Sequence, residues 1–187
     1  VMDKIMDENA YPGISMVISF NGNIYHHAQK GFINVETKTS ANIDTKFRMY
    51  SVTKGLTILL TTKLAEQGVL GLHVPIGQYL PDLPIDKKKL TPQQLLDHKS
   101  GIRHYKGAQE WMALSQQHCQ TPKDAIQYFI NDPLISEPGK QEHYSSFAYV
   151  LLRAVIEASS GLTLENVMDK YLFSKSNVSR VTFDDPT

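Results

Sequence analysis

The chain has 187 residues, 19 basic and 19 acidic side chains, and a formal net charge of zero. Its length allows one ordinary domain, or one large and one partial. Balanced charge without a basic stripe argues against a nucleic-acid partner, and a single cysteine, Cys119, excludes an internal disulfide.

In chain order, Met2 to Asn9 reads as a helix. Ile14 to Phe20 and Asn23 to Lys30 read as two strands around Asn21-Gly22, a strong hairpin signal. Thr45 to Tyr50 reads as an extended approach to a helix over Val52 to Gln67. The apolar face of that helix is expected at Val52, Leu56, Leu59, Leu60 and Leu64, with Gly68 as its stop. Gly71 to Leu90 is a Pro-rich connection, and Lys87-Lys88-Lys89 within it reads as a solvated charge run. Thr91-Pro92 and Thr121-Pro122 each pair an N-cap residue with an N1 proline, so each opens a short helix. Pro133 ends the second. After the turn signal Ser136-Glu137-Pro138-Gly139, Phe147, Val150, Leu151, Ala154, Val155 and Ala158 mark a helix that stops near Gly161. Thr163 opens a last helix to about Phe173.

Two short motifs 93 residues apart concentrate the chemistry: Ser51-Val52-Thr53-Lys54 and Tyr144-Ser145-Ser146. They supply a nucleophile, a cation, a phenol and a further hydroxyl, the parts for acyl transfer through a serine ester. With 14 Ser and 15 Lys in the chain, chance alone gives about one Ser-x-x-Lys, so context must decide. Ser51 falls at or just before a helix N-terminus, where free N–H groups and the helix dipole favour a developing oxyanion. Lys54 lies one turn on, on the same face. Tyr144 and Ser146 fall at a loop-to-helix junction, where a phenolate near a lysine serves as a general base. The structural alternative makes Ser51 a simple N-cap and Lys54 a solvated residue. It likewise makes Ser145 or Ser146 a cap and Tyr144 a hydrophobic staple. Taken alone, each motif favours that alternative.

The blocks around the motifs carry more information. Phe47-Arg48-Met49-Tyr50-Ser51-Val52-Thr53-Lys54 is followed by Leu95-Leu96-Asp97-His98-Lys99-Ser100-Gly101-Ile102 and Arg103-His104-Tyr105. Asn131-Asp132-Pro133-Leu134, Pro138-Gly139 and Tyr144-Ser145-Ser146-Phe147-Ala148-Tyr149-Val150-Leu151-Leu152 come after. In order and spacing these blocks resemble the serine β-lactamase and penicillin-binding-protein superfamily, in its class C-like branch and near that branch's mitochondrial-type members.

The resemblance implies an α+β, β-lactamase/transpeptidase-like fold. Residues 1–187 would be the N-terminal portion of one such domain. Residues 1–50 would give the helix and sheet hairpin, 51–173 the helical region with Ser51 and Tyr144, and 174–187 an exit segment. The implied activity is that of a serine hydrolase on an amide or ester (a β-lactam, peptide or ester) through an acyl-enzyme on Ser51. Lys54 would activate Ser51, Tyr144 would act as general base, and Ser146 would help grip the substrate. Class C-like members more often carry Asn at the Ser146 position; a Ser offers one hydroxyl where an amide offers a donor and an acceptor. The family's third motif, a Lys or His followed by a small residue and Gly, does not occur after Tyr144. The strand bearing it supplies one oxyanion donor, and losing such a donor costs ~10²–10³ in rate. The sequence thus reads as lacking the C-terminal sheet strands, and as inactive alone if that segment is required. The alternative is a non-hydrolytic penicillin-recognising, binding or scaffold protein.

No metal or organic cofactor is implied. The expected partners are a small-molecule or peptide substrate, and either the chain's own missing C-terminal segment or further copies, because the hairpin would expose a sheet edge and an apolar face. No signal peptide or transmembrane run is visible, and the start at Val1 reads as trimmed, so a leader or membrane anchor stays open. The resemblance points to a periplasmic, secreted or cell-envelope setting, or a mitochondrial one in a eukaryote. His26 and His27 would point to opposite faces of a strand and so make poor co-ligands for a metal. His98 is expected to bond structurally, and His143 is a neighbour of Tyr144 in sequence only. Trp111 and Met112 are expected to pack on the helical body rather than line the cleft. Asn177-Val178-Ser179 is a glycosylation sequon.

Overall fold

The computed structural model describes residues 1–117, 119–174, 176, 178 and 181–183. The chain forms two compact units, Val1–Arg48 and Met49–Thr187. Asn177 and Ser179 of the sequon and most of the expected exit segment lie outside the described residues.

The first unit holds helix α1 (Met2–Asn9) and strands β1 (Gly13–Phe20), β2 (Asn23–Asn34) and β3 (Thr39–Ser40) in an antiparallel sheet of order β1-β2-β3. Asn21 and Gly22 both take positive φ, 49° and 78°, as a two-residue hairpin turn of matching twist demands. The register runs from Phe20 opposite Asn23 to Gly13 opposite Gly31 and shifts between Ile18 and Ser19. The shift places one extra residue, Tyr25, on β2, a bulge that bends the strand. Gly31 is fixed by space and conformation: its φ is +79°, and a Cβ there would lie 2.1 Å from the Pro12 carbonyl oxygen. The expected hairpin is therefore present, with a longer second strand and a short third one. Val17, Ile18, Phe20, Ile24, Tyr25, Phe32 and Ile33 are exposed.

The second unit is helical: α2 (Thr53–Glu66), α3 (Ile85–Lys88), α4 (Pro92–Leu96), α5 (Ala108–Ser115), α6 (Pro122–Ile126), α7 (Ser146–Ser160) and α8 (Leu164–Met168), which runs on into a π-helical turn, Asp169–Phe173. Thr91 and Thr121 each close a reciprocal capping box, with Gln94 and Asp124 as partners. Gly68 takes φ +69° after α2. Its N–H bonds the Ala65 carbonyl at 3.0 Å and the Val69 N–H bonds that of Leu64 at 2.9 Å, the paired closure of a Schellman stop. Helix α7 is the axis of the core. It buries Phe147, Ala148, Leu151, Leu152, Val155 and Ile156 against Leu60, Leu64, Leu95 and Phe129. Each fully buried large side chain stabilises the fold by roughly 1.5–3 kcal/mol, and Phe129 stacks on Phe147 at 4.5 Å.

Three local expectations change. On α2 only Leu60, Thr61 and Leu64 are buried; Val52 and Leu59 are exposed, so the inward stripe is narrower than the apolar spacing implied. The approach to Ser51 is not extended at its end. Met49 is helical in φ and ψ, and Tyr50 takes φ +43°, an uncommon and costly conformation for a bulky residue. Lys87 is not solvated. Its side chain is 3% exposed, pairs with Asp86 and donates to the Asp132 carbonyl at 2.9 Å, because a buried ammonium must be paired and hydrogen-bonded.

Candidate active site

Ser51 lies in a 3₁₀ turn, Tyr50–Val52, that leads directly into α2. Neither the turn nor α2 has a side-chain cap. Lys54, three residues on, directs its ammonium back at the serine: Nζ is 3.2 Å from Ser51 Oγ and 3.4 Å from Ser146 Oγ. It also lies over two rings, 4.9 Å from the centroid of Tyr144 and 5.3 Å from that of Tyr149, close enough for cation–π attraction. The Tyr149 ring is fixed in turn by its hydroxyl, which donates to the Leu96 carbonyl at 3.0 Å.

Tyr144 and Ser146 come from the start of α7. Ser145 is the N-cap: its Oγ accepts from the Ala148 N–H at 3.0 Å and donates to the Arg103 carbonyl at 2.7 Å. Ser146, the first helical residue, is thereby left facing Lys54. Tyr144 Oη and Ser51 Oγ share a hydrogen bond 2.7 Å long. The structure thus brings all four candidate residues, Ser51, Lys54, Tyr144 and Ser146, into one cluster. The capping alternative also holds, one residue earlier, at Ser145.

A loop over residues 97–107 holds this junction in place. The Ile135 N–H bonds the Gly101 carbonyl, the Gly139 N–H that of Lys99, and the His143 N–H that of His98, at 2.8, 2.7 and 2.8 Å. Gly101 takes φ +76°, and a Cβ there would lie 2.3 Å from the Ser136 carbonyl oxygen. Arg103 anchors the loop through Nε to Asp132 at 2.5 Å and a two-point bond to Glu110 at 3.0 Å. Two histidine rings complete it. His98 Nδ1 accepts the Ser145 N–H at 3.1 Å, and His104 Nδ1 accepts the Ser146 N–H at 3.2 Å. Their rings pack on Tyr144 with centroids 4.6 and 5.3 Å away. The structural bond expected of His98 is present. His143 instead bonds Gln141 at 3.1 Å. His104 was not singled out by spacing; its place in the run Arg103-His104-Tyr105 was the available signal.

The electrostatics distinguish Tyr144 from its neighbours. Burial raises the pKa of Tyr105 and of Tyr149. Burial pushes the Tyr144 phenol the same way, but hydrogen bonds from Lys54 and Ser51 and the Lys54 charge outweigh it, so its pKa lies below the usual 10.0. His98 and His104 are both held below 6.5, first by burial and then by the Lys54 charge. The arrangement therefore joins a serine hydroxyl to a phenol whose pKa is lowered, beside an ammonium whose charge favours the phenolate form.

A cavity of about 320 Å³ opens at this cluster, lined by Tyr50, Ser51, Lys54, Tyr105, Trp111 and Ser146 among others. Trp111 thus lines the cleft instead of packing on the helical body, and Met112, on the same helix, is exposed. Among the described residues no three His, Cys, Asp or Glu side chains converge as a metal site. No single helix among them is long and apolar enough to cross a membrane.

Comparison with known proteins bears on the family and the fold. The chain is 27% identical to the Serine beta-lactamase-like protein LACTB, mitochondrial, of Homo sapiens, over 91% of this chain and 43% of that protein. It thus spans less than half of that relative's length. The octameric penicillin-binding protein homologue from Pyrococcus abyssi superposes with a TM-score of 0.80 at 27% identity, over 92% of this chain and 41% of that one. The D-alanine carboxypeptidase AmpC from Burkholderia cenocepacia gives 0.75 at 25% identity, over 92% and 45%. The fold is β-lactamase/transpeptidase-like, and members of this superfamily generally act as serine hydrolases. The Beta-lactamase family model matches residues 1–187, and the chain belongs to that family.

Proposed function

We propose that this chain carries the nucleophile and base of a serine hydrolase that opens an amide or ester carbonyl through an acyl-enzyme on Ser51. The observation that carries this reading is the 2.7 Å hydrogen bond between Ser51 Oγ and Tyr144 Oη with the Lys54 ammonium 3.2 Å from the same serine oxygen. In the proposed sequence, the Tyr144 phenolate takes the Ser51 proton as Oγ attacks the carbonyl carbon. Lys54 stabilises the anionic charge that passes between the two oxygens. The Ser51 N–H, at the uncapped start of α2, donates to the developing oxyanion. Tyr144 then returns the proton to the leaving group, and the same phenol activates the water that releases the acyl chain. Ser146 offers its hydroxyl to the substrate beside the scissile bond.

A β-lactam, a D-alanyl peptide and a simple ester share the carbonyl this chemistry needs. The test is turnover of one representative of each by the full-length protein and its Ser51→Ala variant. The reading predicts hydrolysis of at least one, with a loss on the order of 10⁴-fold or more in the variant. Stoichiometric acylation of Ser51 without turnover would favour a penicillin-recognising protein. Equal rates in both proteins would contradict a serine mechanism.

A further inference from the structure

We propose that His98 and His104 are positioning residues: as neutral imidazoles carrying their proton on Nε2, they grip the consecutive N–H groups of Ser145 and Ser146 and so aim the Tyr144 hydroxyl at Ser51. This rests on the hydrolase reading above.

Helix starts are usually closed by a hydroxyl or carboxylate oxygen. Here Ser145 closes the third N–H of α7, that of Ala148, in that ordinary way, while imidazole nitrogens 47 and 42 residues away take the N–H groups of the cap residue Ser145 itself and of the first helical residue, Ser146. An N–H can be accepted only by a ring nitrogen that holds a lone pair, so both Nδ1 atoms are unprotonated and any proton of the neutral ring sits on Nε2. The same two rings pack against Tyr144, His98 at 39° and His104 edge-on at 84°. Backbone and ring are thus held by the same pair of side chains. The main chain adds a third tie, since the carbonyl of His98 accepts the His143 N–H at 2.8 Å.

Protonation reverses the contact. A proton on Nδ1 turns the acceptor into a donor facing another donor, and it adds positive charge next to Lys54. His98 faces Lys54, His104, Tyr144 and Tyr149, with the carboxylates of Asp97 and Glu142 opposing. His104 faces Lys54, Tyr105 and Tyr144, with Glu110 opposing. Burial and Lys54 outweigh the carboxylates, and both rings titrate below 6.5. Their folded pKa is thus depressed. The stabilising contribution of the neutral rings is complete above about 6.5 and is lost as pH falls through the lower folded values. The cradle therefore gives acylation an acid limb of its own, separate from the titration of Tyr144.

The test uses the full-length protein. Nitrogen NMR of the two imidazoles reports the tautomers, and the rate of fluorophosphonate labelling at Ser51 is followed against pH. Each histidine is changed to Asn, whose amide oxygen accepts an N–H but does not titrate, and to Leu, which accepts nothing. Both rings are expected as Nε2–H tautomers at neutral pH. The Asn variants should label within a few-fold of wild type at neutral pH with a flattened acid limb. The Leu variants should lose on the order of 10- to 100-fold, the scale of a misplaced catalytic group. Wild-type labelling with an unchanged acid limb in both Asn variants, or a proton on Nδ1 at neutral pH, would overturn the positioning role alone. Absence of labelling in the wild type at every pH would overturn the hydrolase reading and the positioning role together.

Discussion

Helix α2 begins without a side-chain cap, after a residue with positive φ, whereas α7 begins with a serine cap and two imidazole acceptors. The two starts meet at the Ser51–Tyr144 hydrogen bond. In the proposed mechanism the first start, which no side chain closes, offers the Ser51 N–H to a substrate oxygen, and Tyr50 forms a strained approach beside Ser51. A start with its first donors occupied keeps a phenol at a fixed place. On that reading the difference teaches that helix starts serve in two ways here: one presents the Ser51 N–H, the other is a rigid mount for Tyr144.

The comparison breaks most visibly if the mounted phenol is dispensable. Tyr144→Phe keeps the ring between His98 and His104 but removes the proton acceptor, and a loss of ~10²–10⁴ in acylation is expected. Because the folded pKa of Tyr144 lies below 10.0, wild-type acylation should rise with pH and level off before an ordinary phenol would. The phenolate is present above that lowered value and disappears as pH falls through it. The variant should be flat over the same range; stopped-flow acylation across pH decides.

A second contrast concerns what anchors each helix. Leu152 on α7 is fully buried, so Leu152→Ala should cost about 2–5 kcal/mol in urea unfolding. A cost under about 1 kcal/mol would mean that α7 is not the axis of the core. Ser145→Ala removes the cap of the same helix and should cost about 1 kcal/mol, with a parallel fall in acylation as Tyr144 loosens. Unchanged acylation would separate the mount from the chemistry. At the small end, Lys63 and Glu66 form an exposed pair on α2, 2.9 Å apart. Lys63→Ala should change stability by no more than about 0.5 kcal/mol, and a larger loss would show that α2 relies on its surface.

What the sequence revealed follows from how local each interaction is. The N-caps at Thr91 and Thr121, the Asn21-Gly22 turn and the stops at Gly68 and Gly161 are closed by residues a few positions apart, and all were legible; the reciprocal bonds from Gln94 and Asp124 were added by the structure. Ser51 and Lys54 share a helix face, so their proximity was legible too. Their approach to Tyr144 was suggested only through the family resemblance, since 93 residues intervene. Three features depend on partners far along the chain and left no local pattern. Lys87 is buried because the Asp132 carbonyl waits for it 45 residues on. His98 and His104 act on backbone groups of α7, which any residue type would supply. That the cap falls on Ser145 rather than Ser146 turns on a one-residue register that adjacent serines cannot reveal, whereas the resemblance points to Ser146 as the candidate site residue.

The most direct test of the central claim is intact-mass spectrometry of the full-length protein before and after a fluorophosphonate, with peptide mapping of the adduct. An activated Ser51 predicts a single adduct at that residue, absent from the Ser51→Ala variant. No adduct, or an adduct at another serine that persists in the variant, would contradict it.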